Sequence, residues 1–249
     1  MPPSQGKDKY GNMRYHIITI FPDMFDSYLT QSILGQAMNA GIIEVTAFDL
    51  RSYSEDKHRR VDGRVYGGGP GMVMWVDPIM KCYADVIKSI EKNLKKDIRK
   101  NKINKKILTV IFTPEKISFD NVIAEKVSKE YADIIFICGR YEGIDARVKM
   151  ILEDILGNDV VEWSVGPYVL TGGELPAMIC IDAISRRLPG VLNNEESIEE
   201  NRVSSHEIYG RPEIYSHSGL KEIKEYKVPE VLLSGHHKNI EEWKKSSNL

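Results

Sequence analysis

Residues 107–143 read ILTVIFTPEKISFDNVIAEKVSKEYADIIFICGRYEG. Ile107 to Phe112 is a compact apolar run of strand length, Phe119 to Tyr131 carries apolar residues at helical spacing, and Asp133 to Cys138 is a second apolar run. Runs this short and this apolar suit strands covered on both faces. The order strand, helix, strand predicts a mainly parallel sheet with helices packed on either side.

The same alternation extends in both directions. Tyr15 to Phe21 reads as a buried strand that Pro22 ends, because proline cannot continue the ladder. Asp23 to Asn39 has Met24, Tyr28, Leu29, Ile33, Leu34, Ala37 and Met38 at helical spacing, and Gly41 is a stop before the strand-like Ile42 to Phe48. Leu50 to Met72 lacks periodicity, is rich in glycine and predicts a long functional loop. Asp77 followed by Pro78 reads as an N-cap and first helical residue, for a helix running towards Lys100. Further on, Ile144 to Leu152 predicts a helix, Asp159 to Trp163 a strand and Glu174 to Arg187 a helix, before Pro189 closes the core. Ile240 to Lys245 suggests a last helix.

These elements define an α/β fold with a small helical C-terminal domain. The expected division is a disordered polar tail over residues 1–12, a core over 13–190, a polar linker over 191–211 and the small domain over 212–249. An apolar fraction of 42% with 28% charged residues argues against disorder and against a disulfide scaffold. The longest apolar stretches, such as Met178 to Ile181, fall far short of the roughly 20 residues that cross a bilayer. Cys82, Cys138 and Cys180 form no CxxC pair, which points to a reducing, cytoplasmic compartment. With 34 basic and 36 acidic residues the chain is nearly neutral, so any affinity for nucleic acid must come from a local patch.

The chain lacks the GxGxxG and GxxxxGK[ST] fingerprints, HExxH, CxxC pairs and a GxSxG elbow. Three segments remain at the C-terminal ends of expected strands, where open α/β sheets place ligands: Thr113-Pro114, Cys138 to Gly143 and Val165 to Pro176. The last reads VGPYVLTGGELP, with glycines that let backbone approach a flat ligand. Each alone reads first as a tight turn.

Taken together with IFPDMF at 20–25, VYGGGPGM at 65–72, CGRYEGID at 138–145, YVLTGGELPAM at 168–178 and LPGVL at 188–192, the sequence resembles the tRNA (guanine-N1)-methyltransferase family. The resemblance covers roughly 13–192, with a weaker match at RPE (211–213) and VPEVLLSGHH (228–237). It implies a deep C-terminal trefoil knot (the SPOUT fold), which periodicity alone cannot reveal. It also implies S-adenosylmethionine as methyl donor, held at Pro114, Gly139, Glu142, Val165, Gly166, Tyr168, Leu170, Gly172, Gly173 and Pro176. The implied substrate is N1 of guanosine 37 in tRNA, and the implied assembly is a homodimer whose sites cross the interface. The alternative reading is a non-catalytic RNA-binding relative that keeps the cofactor fold.

N1 of guanine carries a proton, so the reaction needs a base for that proton and a donor for charge growing on O6. The sulfonium already activates the methyl group, so no metal is needed to polarise it. Arg186, in SRRLPGVL, matches the family's catalytic arginine. The family's aspartate falls on Asn201, an amide that cannot take a proton, which makes neighbouring Glu200 the substitute base.

Lys57 to Arg64 holds four fixed positive charges in eight residues, suited to phosphate contacts. By resemblance His58, Arg59, Asp62 and Gly71 contact tRNA, although Gly63 and Val65 replace a usual aspartate and proline. The run Lys88 to Lys106, with nine basic residues against two acids, reads first as a solvated helix face.

Overall fold

The computed structural model describes residues 12–98, 106–192, 207–217 and 224–246. In chain order the elements are β1 (Met13–Thr19), α1 (Asp26–Leu29), α2 (Ser32–Asn39), β2 (Ile43–Asp49), β3 (Asp62–Arg64), β4 (Met72–Met74), α3 (Val76–Ile98), β5 (Lys106–Ser118), α4 (Asn121–Glu130), β6 (Tyr131–Ile137), α5 (Ala146–Leu156), β7 (Val160–Ser164) and α6 (Glu174–Ser185). A second unit, from residue 194 onwards, contains β8 (Ile214–His217), β9 (Lys224–Lys227), α7 (Glu230–Leu233) and α8 (His237–Ser246).

Five strands form one parallel sheet in the order β2-β1-β6-β5-β7. Side chains alternate across each strand, so the sheet feeds two cores. Tyr15, Ile17, Leu108, Val110, Ile134 and Phe136 pack with α2, α4 and α6. Ile18, Ile111, Ile135 and Ile137 pack with α3 and α5 on the other face. Each fully buried isoleucine or phenylalanine contributes about 1.5–3 kcal/mol. Polar pairs are set among these apolar residues: Arg14 donates to both carboxylate oxygens of Asp133, its register partner on β6, at 2.7 and 2.6 Å, and His16 Nε2 stands 2.9 Å from Oδ1.

Several elements differ from the sequence reading. The helix expected over Asp23–Asn39 is broken between α1 and α2. Thr30 Oγ1 donates to the Asp26 carbonyl at 2.6 Å, competing with the backbone, and Gln31 is extended. The Leu50–Met72 loop contains β3, which pairs antiparallel with β4; strands of three residues leave no periodic signal. Asp77 does not cap: α3 begins at Val76, and Asp77 pairs with Lys81 at 2.7 Å instead. Strand β5 runs on to Ser118 past an irregular stretch between Phe112 and Ile117, the kind of bulge that tolerates Pro114. The C-terminal unit is not purely helical, because β8 and β9 form an antiparallel hairpin. The expected tail at residues 1–12 falls outside the described residues except for Asn12.

Candidate active site

Because β1, β5, β6 and β7 are parallel, their C-terminal ends open on the same edge of the sheet. The segments that follow β6 and β7, together with the bulge of β5, enclose a cavity of about 480 Å³. All ten residues expected to hold the methyl donor line it. The Gly173 amide donates to the Gly139 carbonyl at 2.9 Å, and Arg140 and Gly172 form an antiparallel bridge, so the loop before α6 is fastened to the loop after β6. Only glycine fits at 173, where a Cβ would lie 2.7 Å from the Cys138 Cα. The single Ser164 hydroxyl proton is shared between the carbonyls of Pro114 and Gly166, at 3.1 and 2.9 Å, joining the other two walls. Tyr168 folds over Gly166 and donates to the Val165 carbonyl at 3.1 Å.

Strand β4 docks on this wall. Glu142 N donates to Met72 O at 3.0 Å, Met74 N to Gly143 O at 3.0 Å and Asp145 N to Met74 O at 3.1 Å. The glycine loop before β4 is thereby held beside the cavity. Asp145 caps α5 by accepting from Arg147 N at 3.0 Å, and hydrogen bonds from the Arg147 side chain hold its carboxyl below the usual range.

The basic loop before β3 is organised by Asp56, which accepts from the amides of His58 and Arg60 and pairs with the Arg60 guanidinium at 3.0 Å. The Arg60 contact holds the Asp56 carboxyl well below its ordinary value. Arg60 is therefore committed within the loop, which reduces the four charges offered to phosphate. Lys57, His58, Arg59 and Arg64 remain exposed, and Asp62 is half-buried in β3.

Arg186 is not in the cavity wall. It lies half-buried at the C-terminal end of α6, donating its amide to Asp182 O at 3.0 Å. Pro176 at the other end of this 12-residue helix does line the cavity, and a rise of about 1.5 Å per residue sets the two ends roughly 15 Å apart. Glu200 and Asn201 lie outside the described residues. The sequence reading missed Arg140 and Glu174, although both stand inside the quoted glycine motifs: Arg140 Nε is 2.9 Å from the buried Glu174 Oε2.

The profile of the family described as tRNA (Guanine-1)-methyltransferase TrmD matches residues 13–249. The chain belongs to this family. It is therefore an enzyme that methylates a guanine of tRNA at N1. It is 43% identical to the tRNA (guanine-N(1)-)-methyltransferase of Lachnoclostridium phytofermentans, covering 95% of this chain and 87% of that protein. It is 42% identical to the protein of the same name from Clostridioides difficile, covering 95% of this chain and 93% of the relative. Among solved structures, the tRNA (m1G37) methyltransferase from Aquifex aeolicus aligns with a TM-score of 0.70 and 36% identity, over 94% of this chain and 88% of that one. Among the described residues of the methyltransferase, no helix is long and apolar enough to cross a membrane.

Proposed function

We propose that the enzyme transfers the methyl group of S-adenosylmethionine to N1 of guanosine 37 of tRNA, in the cytoplasm. The glycine-walled cavity carries this reading. Its volume of about 480 Å³ lies within the range of roughly 300–1,000 Å³ usual for small-molecule sites, and its walls combine apolar Val165 and Leu170 with exposed backbone, which suits an adenine. Pro114, Gly139, Val165, Gly166, Tyr168, Leu170, Gly172, Gly173 and Pro176 would hold the donor, with Glu142 as the carboxylate at the rim. When bound, the donor supplies a methyl group already activated on a sulfonium.

The protein's own work is then alignment and proton removal. Arg186 stabilises charge on O6 of the base, and Glu200 takes the N1 proton in place of the amide Asn201. His58, Arg59, Asp62 and Gly71, with residues 212–249, hold the tRNA, and 191–211 links the two units. The likeness to the Aquifex aeolicus tRNA (m1G37) methyltransferase supports a trefoil knot in this region.

The homodimer is supported by α6, which is apolar over most of its surface: one side packs on the sheet, while Leu175 and Ile179 remain about half exposed. A helix of that kind ordinarily has both sides covered. The position of Arg186, far along α6 from Pro176, favours a site completed by the Arg186 of a second copy.

The test is transfer of labelled methyl from S-adenosylmethionine to a tRNA with guanosine at 37, beside a matched transcript with adenosine there. Label as N1-methylguanosine in the first tRNA alone is expected. Cofactor binding without transfer would instead favour the non-catalytic RNA-binding reading.

A further inference from the structure

Glu174 is the buried acid that the reaction leaves unexplained. It opens α6, and its side chain is 1% exposed. Thr19 Oγ1 donates to Oε1 at 2.8 Å, and Arg140 Nε stands 2.9 Å from Oε2. That second contact is close but poorly directed for a hydrogen bond, and neither Nε nor Oε2 has any other partner among the described residues. The two charges are thus an ion pair held by position. A carboxylate this deeply buried needs a cation beside it, and removing either member leaves the other exposed to the full penalty of burial.

Arg140 spends the rest of its guanidinium on the surrounding loops. One terminal nitrogen donates to the Thr171 carbonyl at 3.2 Å, and the other lies 3.5 Å from Met24 Sδ. Its central carbon sits 4.6 Å from the centre of the Phe21 ring. The backbone of Gly172 presses on the same side chain, since a Cβ there would meet Nε at 2.3 Å. One guanidinium therefore joins the end of β1, the loop after β6 and the loop before α6.

A cavity walled by backbone has few side chains to fix its shape, so its precision comes from what stands behind the wall. Val169, Leu170 and Thr171 are exposed. The Thr171 carbonyl is fixed from within by Arg140, and Arg140 is fixed by Glu174.

We propose that Arg140 and Glu174 are positioning residues, a buried brace that holds Thr171–Gly173 in its binding shape before the methyl donor arrives. The donor then meets a wall already formed, and affinity is gained because no ordering remains to be done on binding. The inference rests on reading the cavity as the S-adenosylmethionine site, but its first readout needs no ligand.

The experiment uses the full chain and two variants. Glu174→Gln keeps an oxygen for Thr19 and removes the charge that holds Arg140. Arg140→Lys keeps a positive charge but cannot span Glu174 and the Thr171 carbonyl together. Amide hydrogen exchange at residues 171–173 is measured without ligand, then the Kd for S-adenosylmethionine and its demethylated product by calorimetry, then kcat at saturating donor. The expected result is faster exchange at 171–173 in both variants, a Kd weakened by about 10- to 100-fold, the scale of ordering one or two residues on binding, and a kcat largely kept, as for loss of binding common to ground and transition states.

Unchanged exchange in a variant whose circular dichroism matches the parent overturns the brace, and so does faster exchange with an unchanged Kd. If Glu174→Gln does not fold, Arg140→Lys decides by the same criteria. If the parent chain binds neither ligand, the reading of the cavity fails; exchange that is nonetheless faster in the variants still supports the brace, and unchanged exchange still overturns it.

Discussion

Gly71 abuts the side chain of Glu142 so closely that a Cβ at 71 would lie 2.4 Å from Oε1 and 2.5 Å from Cγ. The glycine loop and the cavity wall are thus fitted to each other through a missing methyl group. Gly71 also holds a φ of +100°, which a side chain resists. Gly71→Ala is expected to strain the loop by about 1–3 kcal/mol and to displace Glu142, lowering kcat/KM by about tenfold or more. Gly69 provides the comparison, with a φ of +113° and open space around its would-be Cβ. Gly69→Ala should show the strain in a melting curve while keeping more of the activity. Equal losses of activity in the two variants would mean that the contact with Glu142 does not matter.

Asp133 should set part of the acid sensitivity of the fold. Burial alone would raise its carboxyl, but hydrogen bonds from Arg14 and His16 outweigh that and hold it below the ordinary range. A carboxyl depressed in the folded state stabilises fully above its unfolded value of about 4, and the contribution is lost as pH falls through the folded value. Denaturant unfolding followed downward from neutral pH should show that loss. Asp133→Asn removes the negative charge and one of the two oxygens that accept from Arg14, and should cost about 3–5 kcal/mol at neutral pH. The variant's stability should also fall less steeply in acid than the parent's.

The three cysteines are expected to be inert. All are buried; burial pushes the Cys82 thiol up to about 12 and raises those of Cys138 and Cys180 as well. The thiolate is the reactive form, so native protein at about pH 8 should resist a thiol-specific alkylating agent that modifies all three once urea unfolds the chain. Rapid native modification of Cys138, the buried neighbour of Gly139 in the cavity wall, would mean that the wall opens.

What the sequence revealed and what it hid divide along a physical line. Strands such as Ile134–Ile137 are legible because burial on both faces demands an unbroken apolar run. The glycine segments are legible because close backbone approach excludes other residues, as at Gly173 against Cys138. The break after Thr30 is hidden, since the apolar spacing runs straight through it while the backbone turns extended at Gln31 and left-handed at Ser32. Strands β3 and β4 are too short for a period. Arg140 and Glu174 are visible as letters, but their pairing is made by the fold that brings the loop after β6 against the start of α6.

Glu200→Gln is expected to lower kcat while leaving the Kd for the methyl donor unchanged, because a base acts on the N1 proton and not on cofactor binding. Asn201→Asp should raise kcat if the family's aspartate position is still in register here. Unchanged turnover in Glu200→Gln would remove it from the mechanism.

A site shared between two copies makes a sharper prediction. Arg186→Ala and Gly173→Val should each be inactive alone, the first for want of the O6 donor and the second because a side chain at 173 collides with the Cys138 backbone. Mixed by unfolding and refolding together, they form heterodimers in which one site draws its loops from the Arg186→Ala chain and its arginine from the Gly173→Val chain. That site is intact, so random pairing should restore about a quarter of parental activity. If each site instead takes Arg186 from its own chain, every site in the mixture carries a lesion and the mixture stays inactive.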